Sequence, residues 1–244
     1  MKRNTLVILL LLQVHLLSAC HYKNFDRDSS SVVHEIRTVD HFTGISASTG
    51  VDVYISQGNT EHVEVVSSQK SIKNIRTEVE NGILKIYYKH KEGFRLFSIQ
   101  INNKMKVYVT AKELNNINAS SGSDIFGQTK FNATNLSLSA SSGANISMDI
   151  TCKNLNCEVS SGSDAQLKGT ATNFIGSASS GADVKAIGLV TDSSTLDASS
   201  GSDIKITVNK SLKATASSGG DITYNGNPGV ITKDKSSGGD IHQN

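Results

Sequence analysis

Ala119-Ser-Ser-Gly-Ser-Asp-Ile125 decides the fold, because the same sentence returns to the end of the chain. It recurs as Ala140-Ser-Ser-Gly-Ala-Asn-Ile146, Val159-Ser-Ser-Gly-Ser-Asp-Ala165 and Ala178-Ser-Ser-Gly-Ala-Asp-Val184. Three later copies are Ala198-Ser-Ser-Gly-Ser-Asp-Ile204, Ala216-Ser-Ser-Gly-Gly-Asp-Ile222 and Lys235-Ser-Ser-Gly-Gly-Asp-Ile241. Their glycines (Gly122, Gly143, Gly162, Gly181, Gly201, Gly219 and Gly238) are 21, 19, 19, 20, 18 and 19 residues apart. A period near 20 implies units that stack.

The flanks say what stacks. Apolar residues alternate before each corner, as in Leu136, Leu138 and Ala140 or Leu155, Cys157 and Val159. They alternate again afterwards, as in Ile146 and Met148 or Ile204 and Ile206. Period two on both sides of a glycine turn is the strand signal. One such unit cannot bury its own apolar face. Stacking units at about 4.8 Å closes a continuous core and pairs the backbone, so seven coils span about 30–35 Å. The predicted fold is all-β, a parallel β-helix (β-solenoid) of about seven coils. Glycine supplies the positive φ of the corner. The second serine of each copy (Ser121, Ser142, Ser161, Ser180, Ser200, Ser218, Ser237) is expected to point inward as a hydroxyl ladder.

The upstream residues follow another spacing. Val51, Val53 and Ile55 alternate, as do Val63 and Val65, Leu84 and Ile86, Ile99 and Ile101, and Val107 and Val109. Asn81-Gly82 between Val79 and Leu84 predicts a hairpin. Ser48-Thr49-Gly50-Val51-Asp52-Val53 reads as a diverged earlier copy of the repeat. Residues 37–116 are therefore expected to form an N-terminal β region that caps one end of a solenoid spanning 117–244. At the other end, Lys233 and Lys235 replace apolar residues and would protect the last coil.

The first 20 residues have an export pattern. Lys2 and Arg3 precede an apolar run from Leu6 to Leu17, and Ala19 stands before Cys20. Leu17-Ser-Ala-Cys20 resembles the bacterial lipobox, which implies removal of a signal peptide (1–19) and acylation of Cys20. Residues 20–36 would then be a polar, lipid-anchored tether. No second apolar stretch has membrane length, so the membrane partner is reached through the lipid. The expected location is the cell envelope, as an outer-membrane lipoprotein on its surface or periplasmic face.

The repeats and their neighbours also resemble the head-GIN domain family of putative auto-transporter adhesins. The resemblance rests on the Ser-Gly-Ser-Asp repeats, on Tyr224-x-Gly226-x-Pro228, and upstream on Val39-x-x-Phe42-x-x-Ile45, Gly50-Val-Asp-Val53 and Gly82-x-Leu84-x-Ile86. It covers roughly residues 37–244. It implies a right-handed parallel β-helix with an N-terminal β region, in an envelope protein of the Bacteroidetes type.

Charge and composition narrow the function. The net charge is +2, and residues 117–244 hold nine lysines against eleven acids and no arginine, which excludes a nucleic-acid binder. The repeated acid (Asp124, Asn145, Asp164, Asp183, Asp203, Asp221, Asp240) would cap the turns structurally. Cation binding is the alternative, but one carboxylate per coil falls short of calcium's six to eight oxygens, and no metal site or cofactor is predicted. Cys152 and Cys157 could form a local disulfide in an oxidising compartment or stay as buried thiols. Six of the seven histidines lie at or before His90, and no nucleophile motif or phosphate loop is present. A non-catalytic protein is expected, an adhesion or interaction scaffold with a protein or glycan partner. The alternative is a binding module for envelope glycans or lipids.

Overall fold

The computed structural model describes residues 31–90 and 105–244. The described strands lie in one compact unit, Val32–Asn244. Its repeats are coils of a β-solenoid: β9 (Asp124–Ala140), β10 (Asn145–Ser160), β11 (Asp164–Ser179), β12 (Asp183–Ala198) and β13 (Asp203–Ala216). Each pairs in parallel with the next, and the last coil continues as β14 (Asp221–Asn225), β15 (Val230–Lys235) and β16 (Asp240–Gln243).

Alternation inside each coil builds the core. Ile125, Ile146, Ala165, Val184, Ile204, Ile222 and Ile241 stand in one inward column, and all are buried. Large and small side chains trade places between columns. Phe174 is fully buried beside Gly176, where a Cβ would come within 2.6 Å of the Phe174 ring.

The N-terminal β region does not merely cap the stack, for part of it is a coil. β2 (Gly44–Ala47) pairs in parallel with β6 (Ile83–Tyr88) and β8 (Asn116–Ala119). β3 (Asp52–Gln57) pairs in parallel with β7 (Lys106–Ala111) and β9. The expected boundary at residue 117 is thus displaced: β2 and β3 lie between β6 and β7 on one side and β8 and β9 on the other. The cover proper is antiparallel. β4 (His62–Ser68) pairs with β7, and β5 (Ile75–Glu80) with β6 through the expected Asn81-Gly82 hairpin. Between them lies one short helix, α1 (Gln69–Ile72), capped by the Ser68 hydroxyl.

A second correction concerns the tether. Residues Val32–Ile36 form β1, antiparallel to β4, because Val33 packs on the core and the strand covers an otherwise open edge. The export segment, Cys20 and the strand at Ile99 and Ile101 lie outside the described residues. At the far end Lys233 and Lys235 take the register of Ala214 and Ala216, and the Lys233 ammonium lies 4.7 Å from the Tyr224 ring centre. β15 is exposed along its whole length, and charged side chains stand on it at the positions the sequence singles out.

Candidate functional site

The corners form one column. Each consists of two successive left-handed residues, from Ser121 (φ 53°) and Gly122 (φ 70°) to Ser237 (φ 48°) and Gly238 (φ 78°). Thr49 (φ 61°) and Gly50 (φ 71°) have the same conformation, so the diverged copy is a true corner. Each glycine N–H donates to the serine carbonyl of the next corner: Gly50 to Ser121, Gly122 to Ser142, Gly143 to Ser161 and so on to Gly219 and Ser237, at 3.1–3.2 Å.

This geometry overturns the inward hydroxyl ladder. Two left-handed residues reverse the chain, so the alternation restarts after the glycine. Ser121, Ser142, Ser161, Ser180, Ser200, Ser218 and Ser237 therefore face solvent and enter the ladder through their carbonyls. The inward position is the next residue: Ser123, Ala144, Ser163, Ala182, Ser202, Gly220 and Gly239. The three serines are completely buried and satisfied. Ser123 Oγ accepts the Val51 N–H and Ser163 Oγ the Ala144 N–H, each at 3.2 Å, while Ser202 Oγ donates to the Ala178 carbonyl at 2.8 Å. The Ser-Ala-Ser-Ala-Ser alternation that announces this column was legible in the sequence.

The repeated acids also stand in register, half-exposed or exposed. Their partners include side chains of the next coil, lysines near in sequence and one local backbone N–H. Asn145 Nδ2 donates to Asp124 Oδ1 at 2.7 Å. Lys185 Nζ donates to Asp164 at 2.8 Å and stands 3.3 Å from Asp183, which pushes the lysine pKa upward. Asp240 takes Lys235 Nζ and the Ile241 N–H, which hold its carboxyl below the usual range. Among the described residues no three His, Cys, Asp or Glu side chains are placed to hold a metal ion.

A second ladder, of asparagines, went unread. Asn154 Nδ2 donates to Asn135 Oδ1 at 2.7 Å and Asn173 Nδ2 to Asn154 Oδ1 at 2.8 Å. Its signal was an Asn before the first large apolar residue of three successive repeats.

Cys152 and Cys157 are free buried thiols, so the disulfide is not formed. Each occupies its own inward column, with Ala133 and Ala171 beside Cys152 and Leu138 and Gly176 beside Cys157. Burial pushes their pKa values to about 11 and about 12.

Two features mark one outer face. Tyr54 stacks between Tyr108 and Phe126, with ring centres 5.0 and 5.3 Å apart. These rings spend their faces on one another, so they offer no flat sugar platform. Farther along the same face the strand register breaks, between Gln166 and Lys168 on β11 and between Ala186 and Val190 on β12. The extra residues Ile187 and Gly188 rise there beside the outward column Ser147, Gln166, Lys185 and Lys205, leaving a groove of about 470 Å³.

A family model described as "putative auto-transporter adhesin, head GIN domain" matches residues 41–228. The chain belongs to this family.

Similar folds are known as crystal structures. A putative adhesin from Bacteroides fragilis superposes with a TM-score of 0.78 at 21% identity, over 89% of this chain and 99% of that one. A putative lipid binding protein from Parabacteroides distasonis gives 0.70 at 20% identity, over 88% and 97%. A putative adhesin from Parabacteroides merdae gives 0.67 at 16% identity, over 88% and 96%. At these identities the likeness is one of fold. Among curated proteins, none matches the chain. The head-GIN family points to an envelope or surface-associated protein.

Proposed function

We propose that this head-GIN chain is a non-catalytic, lipid-anchored envelope protein whose solenoid surface acts as an adhesion or interaction scaffold. The observation that carries this reading is the set of outward columns. The serine corners and the Asp/Asn column after them present hydroxyl, carboxylate and amide groups once per coil, about 4.8 Å apart, and three coils add a ladder of asparagines. The column is fixed by the backbone ladder beneath it, so a partner meets a surface already ordered and little ordering entropy opposes binding. Cys20 would carry the acyl chains that tie the fold to the outer membrane.

Protease treatment of intact cells tests the reading together with fractionation of Cys20→Ala. The scaffold reading expects the native protein to be cleaved on whole cells and the variant to leave the membrane fraction. A native protein untouched by protease on cells would exclude cell-to-surface adhesion. A variant that still pellets with membranes would exclude the lipid anchor.

The groove favours a second reading, a binding module for an envelope glycan or lipid. The similar fold from Parabacteroides distasonis, known as a putative lipid binding protein, lends the lipid version some support. The side chains around this groove favour a glycan: Ile187 is its one exposed large apolar residue among those described, while Ser147, Gln166 and three lysines supply polar contacts.

A further inference from the structure

We infer that the groove on the outer face of β10 to β13 is a binding site for an acidic glycan, one bearing carboxylates along a saccharide chain. This rests on the glycan version of the second reading above and gives it a place and a chemistry.

The groove exists because coil lengths differ. The coil of β12 is 20 residues from glycine to glycine and that of β13 is 18, so Ile187 and Gly188 have no register partners in β13, although the Thr207 hydroxyl donates to the Ile187 carbonyl at 2.8 Å. They form a wall beside an otherwise flat strand face. Gly188 keeps that wall low, since a Cβ there would stand 3.1 Å from the Lys168 Cβ.

Three lysines line it. Lys185 and Lys205 are register partners on adjacent strands, and Lys168 sits opposite Gly188. They differ in how well they are already neutralised. Lys185 is held by Asp164 and Asp183. Lys168 reaches its nearest carboxylate, Asp149, only at 3.7 Å, and Lys205 has no ion pair among the described residues. Lys168 and Lys205 are therefore the two cations with binding capacity left, and Lys185 is a positioned neighbour. Ser147 and Gln166 supply a hydroxyl and an amide on the same floor, the groups that pair with sugar hydroxyls. Lys168 and Lys205 stand on β11 and β13, two coils apart, so by the inter-strand spacing their backbones are about 10 Å or more apart, and a ligand that meets both must be an extended chain. The Asp164, Asp183 and Asp203 column runs alongside, so an anionic ligand fits only with its carboxylates on Lys168 and Lys205 and its neutral hydroxyls toward the acids, which a saccharide chain allows. Among the described residues of the groove lining, Ile187 is the one exposed large apolar side chain a bilayer could bury.

The test is calorimetric titration of the purified protein, from residue 20 on and carrying Cys20→Ser so that no acyl chain is attached, with an oligogalacturonate, with its methyl ester, and with phosphatidylglycerol vesicles. The inference expects the acid form to bind, the ester to bind about tenfold or more weaker, and the vesicles not to bind. Lys168→Gln with Lys205→Gln should weaken binding by about tenfold or more, while Lys213→Gln, on another face, should leave it unchanged. Equal losses in the two variants would mean unspecific charge attraction and overturn the site. Undiminished binding to the double variant would also overturn it, leaving glycan binding intact elsewhere on the protein. No binding by the native chain would remove both this site and the uronate version of the module reading. Vesicle binding lost in the double variant would reassign the groove to an anionic lipid.

Discussion

The buried hydroxyl of Ser163 accepts the backbone N–H of Ala144 from the neighbouring coil at 3.2 Å. The contact joins two successive corners inside the core, where water cannot replace it. Ser163→Ala leaves that N–H unsatisfied and should cost about 1–3 kcal/mol in urea unfolding. Ser161→Ala, two residues earlier and exposed, should change stability by no more than about 0.5 kcal/mol. A larger effect at Ser161 would mean that the second serine, not the residue after the glycine, faces inward.

The last two corners replace that inward serine or alanine by glycine, and the packing demands it. A Cβ at Gly220 would stand 2.4 Å from the Ala198 carbonyl oxygen. Gly220→Ser, although it restores the sequence of earlier repeats, should lower stability by about 1–3 kcal/mol through overpacking. Gly143→Ala meets no atom within 4 Å and carries only the left-handed backbone penalty, about 1–2 kcal/mol. Thermal melting of the two variants separates contact from strain.

Asn154 both donates to Asn135 and accepts from Asn173. Asn154→Asp keeps the acceptor and replaces the donor by an oxygen facing Asn135 Oδ1. The expected loss is about 1 kcal/mol at pH 7, shrinking as the pH falls below the carboxylate range and the acid regains a proton to donate. A loss independent of pH would show that the ladder contributes little.

Both cysteines are raised by burial, Cys157 most strongly, to about 12. The folded protein therefore favours the thiol form. That stability is present in full below the unfolded-state value near 9 and is lost as pH rises through about 11 to 12. At pH 8, iodoacetamide should modify Cys152 and Cys157 only after denaturation, read by mass spectrometry. Rapid labelling of the native protein would contradict their burial.

The sequence revealed the corners because their chemistry is narrow: a glycine at positive φ every 18 to 21 residues leaves little else to form. It misled on the second serine because period-two reasoning carries straight through a turn, whereas two left-handed residues reset the alternation. The coil of β2 and β3 was half legible at Thr49-Gly50. The separation of 72 positions from Gly50 to Gly122 hides the period, since β4 to β7 are inserted there and one pair of them stacks outside the earlier coil. β1 was missed because Val32, Val33 and Ile36 are too short a run to outweigh the polar residues before them. The groove was written in the unequal spacings of 20 and 18 flanking Gly201, but only three-dimensional register turns a length difference into a wall beside three lysines.

The stacking of corners into one column is what gives every outward group its place. Spin labels at Ser121, Ser180, Ser218 and Ser237, taken in pairs from Ser121 in a Cys20→Ser background, measure it directly by pulsed electron resonance. The stack predicts separations that grow by about 4.8 Å per coil, reaching about 29 Å between Ser121 and Ser237. Distances that fail to rise in chain order, or a Ser121–Ser237 separation no longer than that to Ser180, would contradict it.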